Sequence, residues 1–259
     1  QIQGGTLSSA NGFTTNAGSF VIAADGAFSR PSLSFANQGV LQSAGTMSFG
    51  TGTLTNNGTL RIGSSPGFTR INGNLALSSS SVLEIEISGY ARGVNPGYDA
   101  MHVTGTAAVD GTVNVIYQGG FTSANLGDSF VILSSGGTRS GSFASIVPPP
   151  TNVTDAYVGG GDANTSVIQR GNSYTGVKFW LNDSGNPWTT TSNWSGGTLP
   201  GAGDIVIIDR GAANPVVTVT GTAALAGRLI ASEGLTISSG SLDLAGASTI
   251  NRPFTLRGG

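Results

Sequence analysis

The sequence contains no cysteine, few charged residues and no long apolar run. Because none of its 259 residues is cysteine, a disulfide framework and thiolate metal sites are excluded. Only 9% of residues are charged and the net charge is -2, so no basic surface is expected for nucleic acid or an anionic membrane. The sequence contains no run of about 18 apolar residues, so it predicts no transmembrane helix. The first residues lack the charged and apolar regions of a signal peptide, so we expect none in this sequence.

Short apolar alternations are what the sequence has instead. Glycine accounts for 42 residues and 38% of the chain is hydrophobic, which is too apolar for a disordered polar chain. In residues 57–89 the alternating positions are Leu60 and Ile62, Leu75 and Leu77, and Leu83, Ile85 and Ile87. Each alternation is too short for a helix and predicts a half-buried strand. Gly, Asn and Ser separate the strands at intervals of about 8 to 12 residues, which is typical of all-β architectures.

A repeat of the form N-(x)-G-x-L sharpens the fold prediction. It occurs in residues 37–41 and again in residues 56–60, about 20 residues apart, with several short strands per period. Stacked turns of this length predict a parallel β-solenoid with apolar columns inside. We expect Gly and Asn at its corners because such positions often need a positive φ. The predicted fold is a right-handed parallel β-helix with loop excursions, and an antiparallel sandwich is the alternative.

Changes in pattern predict three segments. Residues 1–147 are predicted to be a β-helix module, from which residues 89–98 bulge as a loop. The run Pro148-Pro149-Pro150 cannot continue a ladder, so residues 148–178 are predicted to be an irregular connection rich in Pro and Gly. Residues 179–259 are predicted to be a loop containing tryptophan, followed by further coils.

Several motifs resemble bacterial surface β-helices. Within about residues 37–147 they are Ser65-Pro66-Gly67, the alternation at residues 84–87, Tyr98-Asp99, V-x-G-x-A from Val103, and Gly127-Asp128-x-Phe130. They resemble the passenger domains of autotransporters and filamentous-haemagglutinin-like proteins. The W-x-N, G-x-x-W, N-W-S and L-P-G-x-x-D motifs of residues 180–204 resemble a second pattern of the same proteins. The resemblance implies a secreted bacterial protein, extracellular or at the cell surface.

Few residues are candidates for catalysis or metal binding. His102, the only histidine, lies in a strand-like run without a nucleophile motif, so an outward-facing strand residue is expected. Glu84 and Glu86 share one strand face about 7 Å apart, a spacing compatible with inverting glycoside hydrolysis, although a solvated strand has the same pattern. Residues 182–186 match only part of a calcium loop. We therefore predict no enzyme, no cofactor and no metal.

Aromatic residues concentrate near the start of the third segment. Trp180, Trp188 and Trp194 lie close to Phe179 and Tyr174. Aromatic faces stack on sugars, so the three tryptophans are candidate glycan-binding residues. The alternative is a cluster that anchors the loop onto the helix, since large aromatic side chains bury extensive area.

The two ends of the sequence lack an amphipathic helix or a charged run that would cover strand edges. We expect assembly edges at Ile2 and Leu7 and at Phe254 and Leu256. These edges are expected to pair end to end with another copy or with the continuation of a longer chain. The predicted function is a structural β-solenoid of a surface fibre or adhesin stalk, without nucleic-acid binding or membrane insertion. The alternative is a glycan-binding module or a lyase-like or tailspike-like protein that degrades glycans.

Overall fold

The chain forms two compact units made of β-strands. The computed structural model describes residues 1–161, 163–171, 177–210, 214–221 and 223–257. The units are Gln1–Tyr174 and Thr175–Gly259. The described residues contain parallel sheets and no α-helix, which confirms the all-β prediction and fits a β-solenoid-like class. None of the described helices is long and apolar enough to cross a membrane.

The first unit contains eighteen short strands in its described residues. They are β1 (Thr6–Ser8), β2 (Thr15–Asn16), β3 (Ser19–Ile22), β4 (Ala27–Ser29), β5 (Phe35–Asn37), β6 (Val40–Ser43), β7 (Thr46–Asn56), β8 (Thr59–Ile62), β9 (Phe68–Leu77), β10 (Val82–Ile87), β11 (Ala100–Val103), β12 (Ala107–Val109), β13 (Thr112–Tyr117), β14 (Ser129–Ser135), β15 (Arg139–Gly141), β16 (Ser145–Val147), β17 (Tyr157–Gly161) and β18 (Thr165–Arg170).

Strands β1 to β16 stack in three parallel ladders. The first ladder contains β1, β4, the start of β7, the start of β9, β11 and β14. The second contains β2, β5, the end of β7, the end of β9, β12 and β15. The third contains β3, β6, β8, β10, β13 and β16. Each passage of the chain therefore adds one strand to every ladder.

The parallel register aligns the apolar residues in interior columns. In the third ladder, the column runs through Phe20, Leu41, Leu60, Leu83, Val113 and Ile146. Leu41, Leu60 and Leu83 are fully buried, whereas the residues beside them in each strand are partly exposed. The predicted alternation of Leu83, Ile85 and Ile87 is confirmed. One passage alone could not bury these side chains, so the stack forms a common core.

A buried asparagine ladder connects successive passages at one corner. The Asn16 Nδ2 atom donates to Asn37 Oδ1 at 2.7 Å, and Asn37 Nδ2 donates to Asn56 Oδ1 at 2.7 Å. The Asn56 amide then donates to Ser81 Oγ at 2.6 Å. The expectation that asparagine provides a positive φ here is wrong, because neither Asn37 nor Asn56 has one. Asparagine is needed for its amide, which both donates and accepts.

Gly39 and Gly58, which follow Asn37 and Asn56 by two residues, lie where the backbones of successive passages approach closely. A Cβ on Gly39 would lie 2.1 Å from the carbonyl oxygen of Gly18, and one on Gly58 would lie 2.2 Å from that of Gly39. Contacts this short cannot exist without displacing the backbone. The N-(x)-G-x-L repeat therefore combines an amide ladder with a tight backbone contact.

An antiparallel hairpin ends the first ladder. Strand β18 pairs antiparallel with β14 and with β17. This corrects the prediction that residues 148–178 form an irregular connection, although residues 172–176 of that segment and Asp162 lie outside the described residues. The glycine-rich sequence of β17 has low strand propensity, and its pairing through β18 with the distant β14 overrides that propensity.

The second unit repeats the parallel arrangement with shorter strands. They are β19 (Val177–Phe179), β20 (Ile205–Ile208), β21 (Val216–Val219), β22 (Ala224–Ala226), β23 (Arg228–Ala231), β24 (Gly234–Ile237), β25 (Leu242–Leu244), β26 (Thr249–Ile250) and β27 (Phe254–Leu256). The parallel ladders are β19-β20-β23-β26, β21-β24-β27 and β22-β25. Two 3-10 helices, Thr191–Asn193 and Ser195–Gly197, lie between β19 and β20.

Candidate functional site

An acidic cleft lies on the outer face of the third ladder. Its volume is about 160 Å³ and its lining includes Gln42, Arg61, Glu84, Glu86 and Asp99. The parallel register places Gln42, Arg61 and Glu84 side by side on β6, β8 and β10. Glu86 lies two residues after Glu84 on the same face, as the alternation predicts.

Both glutamates of the cleft are held by neighbouring side chains. The Arg61 guanidinium donates from Nε to Glu84 Oε2 at 2.6 Å, and this bond raises the pKa of Arg61. The Arg61 side chain is 46% exposed, so solvent weakens the ion pair. Glu86 Oε1 accepts a hydrogen bond from Gln118 Nε2. These contacts orient the two carboxyl groups along the face of the ladder.

Asp99 is the acid of the cleft that the predicted pair of glutamates did not include. Its carboxyl group is buried and accepts hydrogen bonds from the backbone N–H of Gly67 at 2.7 Å and of Glu86 at 2.8 Å. Burial raises the pKa of Asp99 to about 8. The hydrogen bonds from the two backbone N–H groups lower this pKa, but their effect is smaller than that of burial. The Tyr98-Asp99 motif was the sequence signal, but the partners of Asp99 are Gly67, just before β9, and Glu86, in β10, so no local spacing reveals them.

The cleft therefore combines a carboxyl group that takes up a proton near neutral pH with two more accessible glutamates. Such a set could exchange a proton or accept hydrogen bonds from the hydroxyl groups of a ligand. However, both oxygens of Asp99 are used by the backbone, and Glu84 is paired with Arg61. The arrangement fits a structural brace between β10 and the loop before β11 at least as well as a catalytic centre.

His102 points outward from β11, as predicted, and contacts a serine. Its Nδ1 atom lies 3.0 Å from Ser134 Oγ on the adjacent strand β14. The Arg92 guanidinium also donates to Ser134 Oγ at 3.0 Å, and its Nε donates to the carbonyl oxygen of Val131 at 2.9 Å. The serine hydroxyl is thus shared between a histidine and an arginine, which ties the loop of residues 88–99 to the first ladder.

The three candidate glycan-binding tryptophans form the core of the second unit. Each is about 1% exposed, and their rings pack edge to face, with centroids 5.0 Å apart for Trp180 and Trp194 and 4.7 Å apart for Trp188 and Trp194. The glycan-binding prediction is corrected by this burial, because a ring without an exposed face cannot stack on a sugar. Phe179 is also buried, and Tyr174 lies outside the described residues.

Hydrogen bonds fix the tryptophan loop from inside. Trp180 Nε1 donates to the carbonyl oxygen of Asn182, and Trp194 Nε1 donates to that of Trp188, both at 2.7 Å. The buried Asn193 accepts from Asn182 Nδ2 at 3.0 Å and donates to the carbonyl oxygen of Pro187 at 3.1 Å. Each polar atom of the loop named here has a partner, so the loop packs as a closed unit.

The candidate assembly edges lie at terminal strands. Leu7 in β1 is 40% exposed, and Phe254 and Leu256 in β27 are 46% and 69% exposed. Ile2 makes a single parallel bridge with Ile22. Among the described strands, β1 pairs only with β4 and β27 only with β24. The exposed leucines and phenylalanine therefore border backbone that is paired on one side.

In the described part of the chain, no group of three or more His, Asp or Glu side chains is arranged to hold a metal ion. Asp183, in the partial calcium loop, instead accepts from Arg210 Nε at 2.6 Å. Comparison of the chain with protein-family models, curated proteins and solved structures found no match.

Proposed function

We propose that the chain is a structural β-solenoid, a right-handed parallel β-helix in a fibre or adhesin stalk at a bacterial surface. The parallel ladders of both units and the motifs that resemble those of autotransporter passengers support this role. Repeated passages of one chain give a core that can be extended by adding strands. The strand edges would pair with a second copy or with further coils of a longer chain. In this role the protein has no catalytic activity.

One observation carries the proposal: an apolar column of the second unit ends on exposed side chains. Leu235 pairs in register with Phe254, and Ile237 with Leu256. Leu235 is 1% exposed, whereas Phe254 is 46% exposed. One further strand in the same register would bury Phe254 and Leu256 as β27 buries Leu235. Unpaired edges with apolar side chains are templates for strand addition.

The association is tested by placing charge on this edge. We expect sedimentation velocity to show concentration-dependent association of the unaltered chain, and electron microscopy to show elongated particles. The double variant Phe254→Lys/Leu256→Lys should stay monomeric, because a charged edge strand resists pairing. Val153, which is 70% exposed and outside the ladders, provides the control Val153→Lys, which should associate as the unaltered chain does. If the unaltered chain stays a monodisperse monomer at high concentration, the proposed self-association is contradicted.

Location at the cell surface is tested separately. Antibody raised against the purified chain should label intact cells of the source bacterium without permeabilisation. Labelling that appears only after permeabilisation would contradict the surface role, whatever the association state in solution.

The second candidate function is a glycan-directed protein, and the acidic cleft is the observation that favours it. The three carboxyl groups of Glu84, Glu86 and Asp99 line one cavity. A glycan array with the unaltered chain and with Glu84→Gln/Glu86→Gln tests this function. Binding or cleavage that the double variant loses would favour it over the structural role. If neither protein binds any glycan on the array, the glycan-directed function is rejected.

A further inference from the structure

Strand β14 is the last strand of the first ladder that runs parallel to the others. Its sequence is of the kind that pairs readily with a strand of another chain when its edge is exposed. Its residues, Ser-Phe-Val-Ile-Leu-Ser-Ser, are uncharged. Phe130, Ile132 and Leu133 are fully buried. An uncovered apolar segment of this length, without charge or proline, is a strong template for pairing with another chain.

The hairpin of β17 and β18 occupies the free edge of β14. The pairing extends from Ser129 opposite Gln169 to Ser134 opposite Thr165, almost the whole length of β14. Because β18 runs in the opposite direction, a further parallel passage cannot follow β14 in this ladder. The backbone groups that β14 would offer to a second copy are thereby used within the same chain.

A buried carboxylate fastens this hairpin to the third ladder. Asp155 is 2% exposed and accepts from Tyr117 Oη at 2.6 Å, Ser123 Oγ at 2.8 Å and Arg170 Nη2 at 2.8 Å. Tyr117 ends β13, and Arg170 ends β18. The hydroxyl group of Tyr157, the first residue of β17, lies 2.8 Å from that of Tyr117. Asp155 therefore joins β18 to β13, and the hydroxyl group of Tyr117 joins β17 to the same strand.

The outer strand of the hairpin is itself a poor template. Strand β17 has the sequence Tyr-Val-Gly-Gly-Gly, and Gly161 at its end has a φ of +140°. Glycine provides no side chain for cross-strand packing and is unfavourable in strands. The hairpin thus replaces an apolar edge with a glycine-rich edge.

We propose that the β17–β18 hairpin is an edge guard that prevents a second copy of this chain from adding a strand to β14. This inference refines the structural function proposed above. It rests on that function only in taking the associating partner to be a second copy of the chain. Among the described strands, β1 and β27 are each paired on one side only, whereas β14 is paired on both sides, by β11 and β18.

Two variants release the guard by different means. Val167→Pro removes a backbone N–H in the middle of β18, because proline cannot donate to a ladder. Val167→Ala is its control, since alanine loses the side chain but retains the N–H. Asp155→Ala removes the buried carboxylate that holds Tyr117 and Arg170, and Asp110→Ala is its control. Asp110 is partly exposed and accepts from its neighbour Gly111 N at 2.7 Å.

Hydrogen exchange and sedimentation velocity are measured on the same samples, each carrying Phe254→Lys/Leu256→Lys to block strand addition at β27. We expect Val167→Pro or Asp155→Ala to lose protection in residues 165–170, retain it in β9, and associate at least several-fold more than the controls. A variant with an exchanged hairpin, a protected β9 and no added association would overturn the proposal. Retained protection of residues 165–170 in both variants would also overturn it, because the hairpin would then depend neither on the Val167 N–H nor on Asp155.

These outcomes are separate from those of the proposed function. If the chain with unaltered edges never associates but the released variants do, the end-to-end association is rejected and the guard stands. If the chain with unaltered edges associates and the released variants gain nothing, the guard alone is rejected.

Discussion

The amide of Asn37 donates to that of Asn56 at 2.7 Å, although the two residues lie in successive passages of the chain. Both side chains are buried, and Asn37 also accepts from Asn16 in the preceding passage. A single side chain thus connects three layers of the stack. Buried amides of this kind are costly to leave unpaired.

Asn37→Ala should therefore destabilise the first unit more than loss of one side chain would suggest. The change removes the hydrogen bond that Asn16 donates to Asn37 and the one that Asn56 Oδ1 accepts from it, together with those that Asn37 donates to the carbonyl oxygens of Gly39 and Thr59. We therefore expect the free energy of unfolding to fall by about 3 kcal/mol. Urea denaturation measures this value. The half-exposed neighbour Asn57 provides the control Asn57→Ala, which should change it by about 0.5 kcal/mol or less. Equal midpoints for the two variants would show that the ladder adds no stability.

Two glycines at one corner should respond differently to the same substitution. A Cβ on Gly39 would meet the carbonyl oxygen of Gly18 at 2.1 Å, whereas nothing lies within 4 Å of a Cβ on Gly18. We expect Gly39→Ala to lower the free energy of unfolding by about 1 to 3 kcal/mol. Gly18→Ala should change it by about 0.5 kcal/mol or less. Thermal unfolding of both variants is sufficient, and a stable Gly39→Ala protein would contradict the close backbone contact.

Trp194 should be essential to the second unit because it contacts both other tryptophans of the cluster. Trp194→Ala creates a large cavity and is expected to cost about 3 to 5 kcal/mol. Leu199→Ala is the control, since Leu199 is 41% exposed. Denaturation followed by the fluorescence of the remaining tryptophans reports on this unit. Similar midpoints for both variants would argue against a tryptophan core.

Glu233 should make the second unit less stable as the pH rises. Its side chain is buried, Oε1 accepts from Arg210 N at 2.8 Å, and Oε2 has no hydrogen-bond partner among the described residues. Burial raises the pKa of Glu233 to about 7, with a further increase from the charge of Asp209. The Arg210 N–H and the charges of Arg252 and Arg210 lower it in part.

The direction follows from proton binding in the two states. Between an ordinary pKa of 4.5 and about 7, folded Glu233 holds its proton while unfolded Glu233 has lost it. Its stabilising contribution is therefore complete below the ordinary value and is lost by about pH 7. Between pH 5 and pH 8, the free energy of unfolding of Glu233→Gln should rise relative to that of the unaltered protein. Asp243→Asn, at an exposed position, should show no such shift. A constant difference for Glu233→Gln would refute the assignment.

Regular features of the fold could be predicted from sequence because they depend on local period. Leu83, Ile85 and Ile87 alternate with Glu84 and Glu86, and the strand exposes and buries them accordingly. The N-(x)-G-x-L repeat gave the spacing of the passages. It could not distinguish asparagine with a positive φ from asparagine in an amide ladder, because both use the same residue at a corner.

Other features depend on partners that are distant in sequence. The carboxyl group of Asp99 is held by Gly67, and that of Asp155 by Tyr117, so no local pattern reveals either contact. Tryptophan serves equally well for stacking on a sugar or for filling a core, and only the packing of Trp194 between its neighbours decides. The hairpin was missed because three glycines in β17 weaken every local sign of a strand.

The passages lengthen along the first unit while the ladder register is kept. Partners in the first ladder advance from Ala27 to Thr46, then to Arg70, His102 and Ser134. The added residues fall between strands, as in residues 88–99 and 118–128, and leave the inner columns in place. Insertions at these points can therefore change the outer surface without disturbing the core. New recognition surfaces on such a scaffold would arise from loop length, while the stacked strands stay constant.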